Sequence, residues 1–186
     1  MKKMISRLIL KLMGWTIRED SVPDVKKAVI LVAPHTSNFD FVLGRLAFNV
    51  LGIKVAFLIK KEVFFFPLGT ILKKMGGIPV ERGKKANMVD QLAGYFDKSH
   101  ELMLVITPEG TRAYTKKWKK GFYYVALSAG VPIVLAYMDY GRKVGGMGKV
   151  IYPSGDIDTD FNQIVDFYEG IQARYPEDFC EKPVLR

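Results

Sequence analysis

His35 and Asp40 are the first residues in this chain whose types and spacing could do chemistry. His35 leaves an apolar run, and Asp40 falls near the start of the next helical pattern. If the turn between them folds back, the carboxylate accepts a hydrogen bond from one imidazole nitrogen. The tautomer is then fixed, and the other nitrogen is free to take a proton as a general base. A structural histidine followed by a favourable negative charge at a helix N-terminus accounts for the same two residues. A second group is Thr107-Pro108-Glu109-Gly110-Thr111-Arg112. A glycine between a carboxylate and a hydroxyl suits a loop whose backbone comes close to a ligand, and Arg112 can hold phosphate by two parallel hydrogen bonds. Lys116, Lys117, Trp118, Lys119 and Lys120 follow, and a solvated, lysine-rich face explains these better than it explains the order of the preceding six. A third group is Glu81-Arg82, which closes Gly76-Gly77-Ile78-Pro79-Val80; Arg82 alone reads equally as a surface arginine.

These groups need elements to position them. Ala28–Ala33, Val55–Ile59, Leu102–Thr107 and Val131–Tyr137 are short continuous apolar runs, the pattern of buried strands. Ile78–Val80 and Lys149–Tyr152 are shorter candidates. Phe39–Val50, Asn87–Phe96, Gly121–Ala129 (stopped by Gly130) and Asp160–Tyr175 have helical patterns. A Phe-rich stretch, Val63–Met75, is interrupted by Pro67. Strands alternating with helices predict an α/β fold around a largely parallel sheet flanked by helices. In such sheets ligands meet the ends of strands, and each group above follows a strand. We expect one domain over residues 1–186, with no repeat or linker and with a helical, acidic tail over 156–186.

Charge narrows the partners. The chain carries a formal net charge of +9. Residues 156–186 hold eight acids against three bases, so the rest is strongly basic. An anionic partner follows: nucleic acid, an anionic membrane surface or a phosphorylated substrate. At the N-terminus Met4, Ile5, Leu8, Ile9, Leu12 and Met13 share one helical face, and Lys3, Arg7 and Lys11 another. The segment is too short and too charged to span a bilayer and has no signal-peptide pattern. Residues 1–14 are therefore expected to form an interfacial helix, the other reading being a helix packed on the protein's own core. Cys180 is the only cysteine, which excludes a disulfide framework and suits a reducing compartment. No Gly-x-Ser-x-Gly elbow is present, and two distant histidines make no metal site. Gly145-Gly146-Met147-Gly148 lacks the surroundings of a dinucleotide fingerprint.

Taken together, HTSNFD (35–40), GGIPVER ending at Arg82, EGTR (109–112) and VPIVL (131–135), in that order, resemble the glycerolipid acyltransferase family, which includes the 1-acylglycerol-3-phosphate acyltransferases. Lys60-Lys61-Glu62-Val63 with Phe66-Pro67-Leu68-Gly69 is similar to the family's lysine-containing stretch. WKKGFYYVALSAG (118–130) is similar to its lysine-glycine helix start. The resemblance runs from about Ala28 to Tyr140. Pro79 stands where an aromatic is usual and Leu135 where a second proline is, and both departures bear on the acceptor pocket.

The resemblance implies acyl transfer from a thioester, on coenzyme A or acyl carrier protein, to a hydroxyl of a glycerol phosphate or lysophospholipid. His35 is then the base and Asp40 its orienting partner. Arg82, Arg112 and one of Lys60 or Lys61 hold phosphate, backbone near Gly110 faces the oxyanion, and Thr111 belongs to the substrate-binding loop. Glu109 braces an arginine or the acceptor. No cofactor beyond the thioester co-substrate, no metal and no nucleic acid is expected. The expected place is the cytoplasmic, inner face of a membrane. A catalytically silent lipid-binding module and a nucleic-acid binder using Arg112–Lys120 are the competing classes. The second leaves the placement of His35 and Asp40 at a strand end unexplained.

Overall fold

The computed structural model describes residues 1–20, 23–80 and 88–186. Its main sheet has seven strands: β1 (Thr16–Arg18), β2 (Lys27–Val32), β3 (Val55–Lys60), β4 (Gly77–Val80), β5 (Leu102–Ile106), β7 (Ile133–Asp139) and β8 (Val144–Ile151). Their order is β1-β8-β7-β2-β5-β3-β4. Every pairing is parallel except the β7–β8 hairpin. A separate two-stranded parallel ladder joins β6 (Lys117–Trp118) to β9 (Val184–Leu185). The expected fold, a largely parallel sheet flanked by helices, is what the chain adopts.

The central strand explains itself. Ala28, Val29, Ile30 and Leu31 are all fully buried, because successive side chains of a strand point to opposite faces and both faces here are covered. Val29 and Leu31 join Leu104, Ile133 and Leu135 in a core closed by α4 (Met88–Lys98), α5 (Gly121–Ser128) and α6 (Ile157–Tyr168). Ala28 and Ile30 join Val134 and Ala136 on the opposite face, under Phe48 of α2 (Asn38–Leu51). α1 (Lys2–Leu12) packs outside α2 through Leu10, against Leu43, Ala47 and Val50. Ser6 of α1 accepts a hydrogen bond from Asn49 of α2 at 3.1 Å.

Four elements depart from expectation. The Phe-rich stretch becomes a short turn at Lys61–Val63 and α3 (Leu68–Lys74). β1 is an addition: three residues are too few for a pattern to register. β8 starts five residues before the expected Lys149 because Gly145, Gly146 and Gly148 carry no strand signal. These glycines make room, since a Cβ on Gly148 would lie 2.2 Å from the Phe167 ring. Lastly, the tail over 156–186 is only partly helical. α6 stops at Tyr168, and Gly170 takes φ +74°, a conformation L side chains resist. The chain then leaves the helix and runs along the ends of the central strands toward β9.

Candidate active site

The turn from β2 into α2 builds the first half of the site. Ser37 is the N-cap of α2, and its hydroxyl accepts the Phe39 amide at 3.1 Å. Asp40, three residues on, returns a bond to the Ser37 amide at 2.8 Å, completing a capping box. The same oxygen, Oδ2, accepts the Thr36 amide at 2.9 Å and meets His35 Nδ1 at 3.2 Å. A helix-capping carboxylate is therefore also the histidine's partner, so the two readings of Asp40 are one arrangement. Oδ1 accepts the Tyr140 hydroxyl at 2.5 Å. Burial raises the Asp40 pKa, but His35, Tyr140 and the Ser37 amide together hold it below the usual carboxylate value. An ionised Asp40 can only accept, so the ring proton between them sits on Nδ1, and Nε2 is the nitrogen left for proton exchange with a ligand. The His35 side chain keeps about a fifth of its surface exposed (21%), against 6% for that of Asp40.

The loop after β5 supplies the second half. β5 lies beside β2, with Leu31 opposite Ile106, so Glu109 arrives next to His35. Its Oε1 accepts the His35 backbone N–H at 3.0 Å. Its Oε2 is buried with no hydrogen-bond partner among the described residues. Burial raises the Glu109 pKa to about 7. Among the described residues the hydrogen-bond partner of Glu109 is the His35 amide; the resemblance implies a brace for an arginine or the acceptor. Gly110 turns the loop at φ +65°, and the Lys119 side chain passes so close that a Cβ there would meet Nζ at 2.2 Å. Thr111 is exposed and bonds the Ala113 amide. Exposed Arg112 donates to the Asn38 side chain at the start of α2.

Lys60 ends β3 and Lys61 begins the following turn, both exposed and on the same edge of the sheet. β4 ends at Val80 on that edge too, but Arg82 lies outside the described residues. Among the described residues, no three His, Cys, Asp or Glu side chains are grouped to hold a metal ion.

Sequence reading missed three contributors. Tyr140 directly follows β7, the other neighbour of β2, and looking past the end of every strand would have found it. Arg174 lies over the Phe39 ring at 4.7 Å, and the Tyr175 amide donates to Thr36 Oγ1 at 3.2 Å. Both come from the segment expected to be helix, so no signal pointed to them.

The model of the family described as Acyltransferase matches residues 15–139, a span that contains His35, Asp40 and the EGTR loop. The chain belongs to the acyltransferase family. Among curated proteins this acyltransferase-family chain is 30% identical over 139 residues to a 1-acyl-sn-glycerol-3-phosphate acyltransferase of Saccharomyces cerevisiae, covering 70% of this chain and 44% of that one. It is 29% identical over 138 residues to the enzyme of the same name from Limnanthes douglasii, covering 70% and 47%. The chain thus spans about half the length of the curated relatives it matches. In fold it is similar to the crystal structure of the 1-acyl-sn-glycerophosphate (LPA) acyltransferase PlsC from Thermotoga maritima. The TM-score is 0.64 at 15% identity, over 94% of this chain and 79% of that one.

Proposed function

We propose that this acyltransferase-family chain moves a fatty acyl group from a thioester, on coenzyme A or acyl carrier protein, to a hydroxyl of a lysophospholipid or glycerol phosphate. One observation carries the reading: His35 has Nδ1 held by the Asp40 carboxylate at 3.2 Å, at the strand-end edge of the sheet, which turns Nε2 to the task of accepting a proton. The acceptor hydroxyl gives its proton to Nε2 as its oxygen attacks the thioester carbonyl. The oxyanion that forms is met by backbone N–H groups near Gly110. Collapse expels the thiolate, which recovers the proton from the imidazolium, so histidine ends as it began. Arg112, Arg82 and one of Lys60 or Lys61 hold the phosphate of the acceptor. The acceptor's similarity to lysophosphatidate is supported by the names of the relatives and by the basic edge.

A lipid acceptor requires contact with a bilayer. Among the described residues no helix is long and apolar enough to cross a membrane. α1 offers a different route. Leu10 faces inward, while Met4, Ile5, Leu8 and Leu12 stay exposed, Leu12 at 79%. The Leu10 face packs on the core, and the exposed apolar face is the one we assign to an interface. Its basic face is weaker than expected, because Lys3 and Arg7 both pair with Glu19. Apolar insertion therefore carries most of the proposed attachment to the inner membrane face.

The test is a labelled acyl-CoA and acyl carrier protein assay against a panel of lysolipids and glycerol phosphate. Wild type should transfer to a phosphorylated acceptor. His35→Ala should lose about 10²–10⁴-fold in turnover, the usual worth of a general base, with an unchanged melting temperature. Near wild-type turnover in His35→Ala overturns the mechanism.

A further inference from the structure

Tyr140 lies outside the motifs that carry the family resemblance, yet it touches the reacting pair more tightly than any of them. Three of the hydrogen bonds to Asp40 converge on Oδ2, from His35 and the Thr36 and Ser37 amides. Among the described residues Tyr140 alone engages Oδ1, at 2.5 Å. A carboxylate pinned at one oxygen still has a pivot; pinned at both, it has none. The tyrosine is itself held from three sides. Its amide donates to the Gln172 carbonyl at 2.9 Å. Its ring meets Trp15 edge-on, with centroids 5.0 Å apart. The Arg174 guanidinium approaches its oxygen while lying over Phe39.

We propose that Tyr140 is a positioning residue for the His35–Asp40 pair, locking the rotation of the Asp40 carboxylate and drawing off part of its charge. The inference rests on the reading of His35 as general base. A charge-assisted hydrogen bond of this kind has two consequences. It keeps Oδ2 aimed at Nδ1, and so Nε2 aimed at the acceptor. It also makes Asp40 a weaker stabiliser of the imidazolium, so that the histidine gives its proton back to the departing thiolate more readily. Burial and the neighbouring Asp40 raise the tyrosine's own pKa far above its ordinary value, so it remains a donor throughout any assay range.

The charged groups facing this cluster come from several elements. Glu109 approaches from the loop after β5 and Arg174 from the segment after α6. Asp139, the last residue of β7, precedes Tyr140 and is occupied by Arg142 at 3.0 Å. Glu109 titrates at about 7 and feels the charges of both His35 and Asp40, so wild type and Tyr140→Phe are compared in a Glu109→Gln background. A difference between their pH profiles therefore belongs to the hydroxyl.

Tyr140→Phe removes one oxygen and keeps the ring against Trp15. Turnover should fall about tenfold, the loss of one charge-assisted hydrogen bond in the transition state, with KM for the acceptor within about twofold of wild type. The acid limb of the turnover profile should move to higher pH by roughly half a unit, since Asp40 recovers charge. Titration of the His35 imidazole by nitrogen NMR in histidine-labelled protein should show the same displacement without any turnover, and a thermal melt should change little. An unmoved imidazole titration overturns the proposal, whether or not activity falls. So does a melt lowered by many degrees with the acid limb unmoved, which is the mark of a packing residue. The two readings fail separately. If His35→Ala keeps its activity, the base assignment is lost while the NMR titration still decides whether Tyr140 governs the pair.

Discussion

Glu109 and His35 are joined through the backbone: Oε1 of the glutamate accepts the histidine's amide proton at 3.0 Å, across the boundary between β5 and β2. The two best-defined motifs of the sequence are thereby one unit. The glutamate's side chain fixes the point from which the imidazole departs, and Asp40 fixes its direction.

The buried carboxyl makes stability depend on pH. Its folded pKa is raised to about 7 from an ordinary 4.5. Between those values the folded chain holds a proton that the unfolded chain has released. Stability is therefore greatest at the acid end of this window and falls as pH rises to about 7, by roughly 3 kcal/mol. Urea melts at pH 5 and pH 8 should show this decline in wild type. Glu109→Gln, which cannot ionise, should remove it.

α1 can be tested one face at a time. Leu10 is 2% exposed against α2, so Leu10→Ala should cost about 2–5 kcal/mol and leave vesicle binding in place. Leu8 and Leu12 are exposed, so Leu8→Glu with Leu12→Glu should change stability by less than about 0.5 kcal/mol each. That pair should release the protein from anionic vesicles in a sedimentation assay. Deleting residues 1–14 would mix the two effects and is the poorer experiment.

Two glycines with similar backbone angles should respond differently. Gly155 has φ +95° with nothing near a new Cβ, so Gly155→Ala meets backbone strain alone, about 1–2 kcal/mol. Gly76 has φ +92°, and a Cβ there would lie 2.3 Å from the Val55 carbonyl oxygen. Backbone cannot step aside as a side chain can, so Gly76→Ala should be markedly worse and disturb the β3–β4 pairing. Denaturant midpoints for the two variants decide it.

Arg112 donates to Asn38 from across the site, which leaves part of its fork for a ligand. Arg112→Lys loses the planar, two-pronged geometry and should raise KM about tenfold for a phosphorylated acceptor, while barely affecting an unphosphorylated one. Equal losses for both acceptors would make the arginine structural.

The parts of this molecule that were legible in the sequence are those where one residue type has one dominant physical reason. The continuous apolar runs of β2, β3, β5 and β7 can be buried only on both faces, and so imply a covered parallel sheet. Asp40 reads as a favourable charge at a helix N-terminus, and His35 stands at the strand end before it; the capping box that Ser37 completes emerges only in the structure. What stayed hidden depended on tertiary contact. β8 is carried by glycines whose value is the space they leave for Met138 and Phe167. Arg174 and Gln172 have no local pattern, since their role is set by β7 and α2 lying beside them. The inward turn of Glu109 follows from β5 pairing with β2, a neighbour relation that no spacing reveals.

The capping box has a further consequence in time. The first turn of α2 and the aim of His35 hang on the same carboxylate, so they come apart together. Opening one helical turn costs far less than unfolding the sheet beneath it. The chain can therefore lose its reactive arrangement briefly and regain it while every strand stays paired. The amide hydrogens of Thr36 and Ser37, both bound to Asp40, are exposed at those moments. Their exchange with deuterated solvent is a clock that counts how often an intact molecule is momentarily without its His35–Asp40 arrangement.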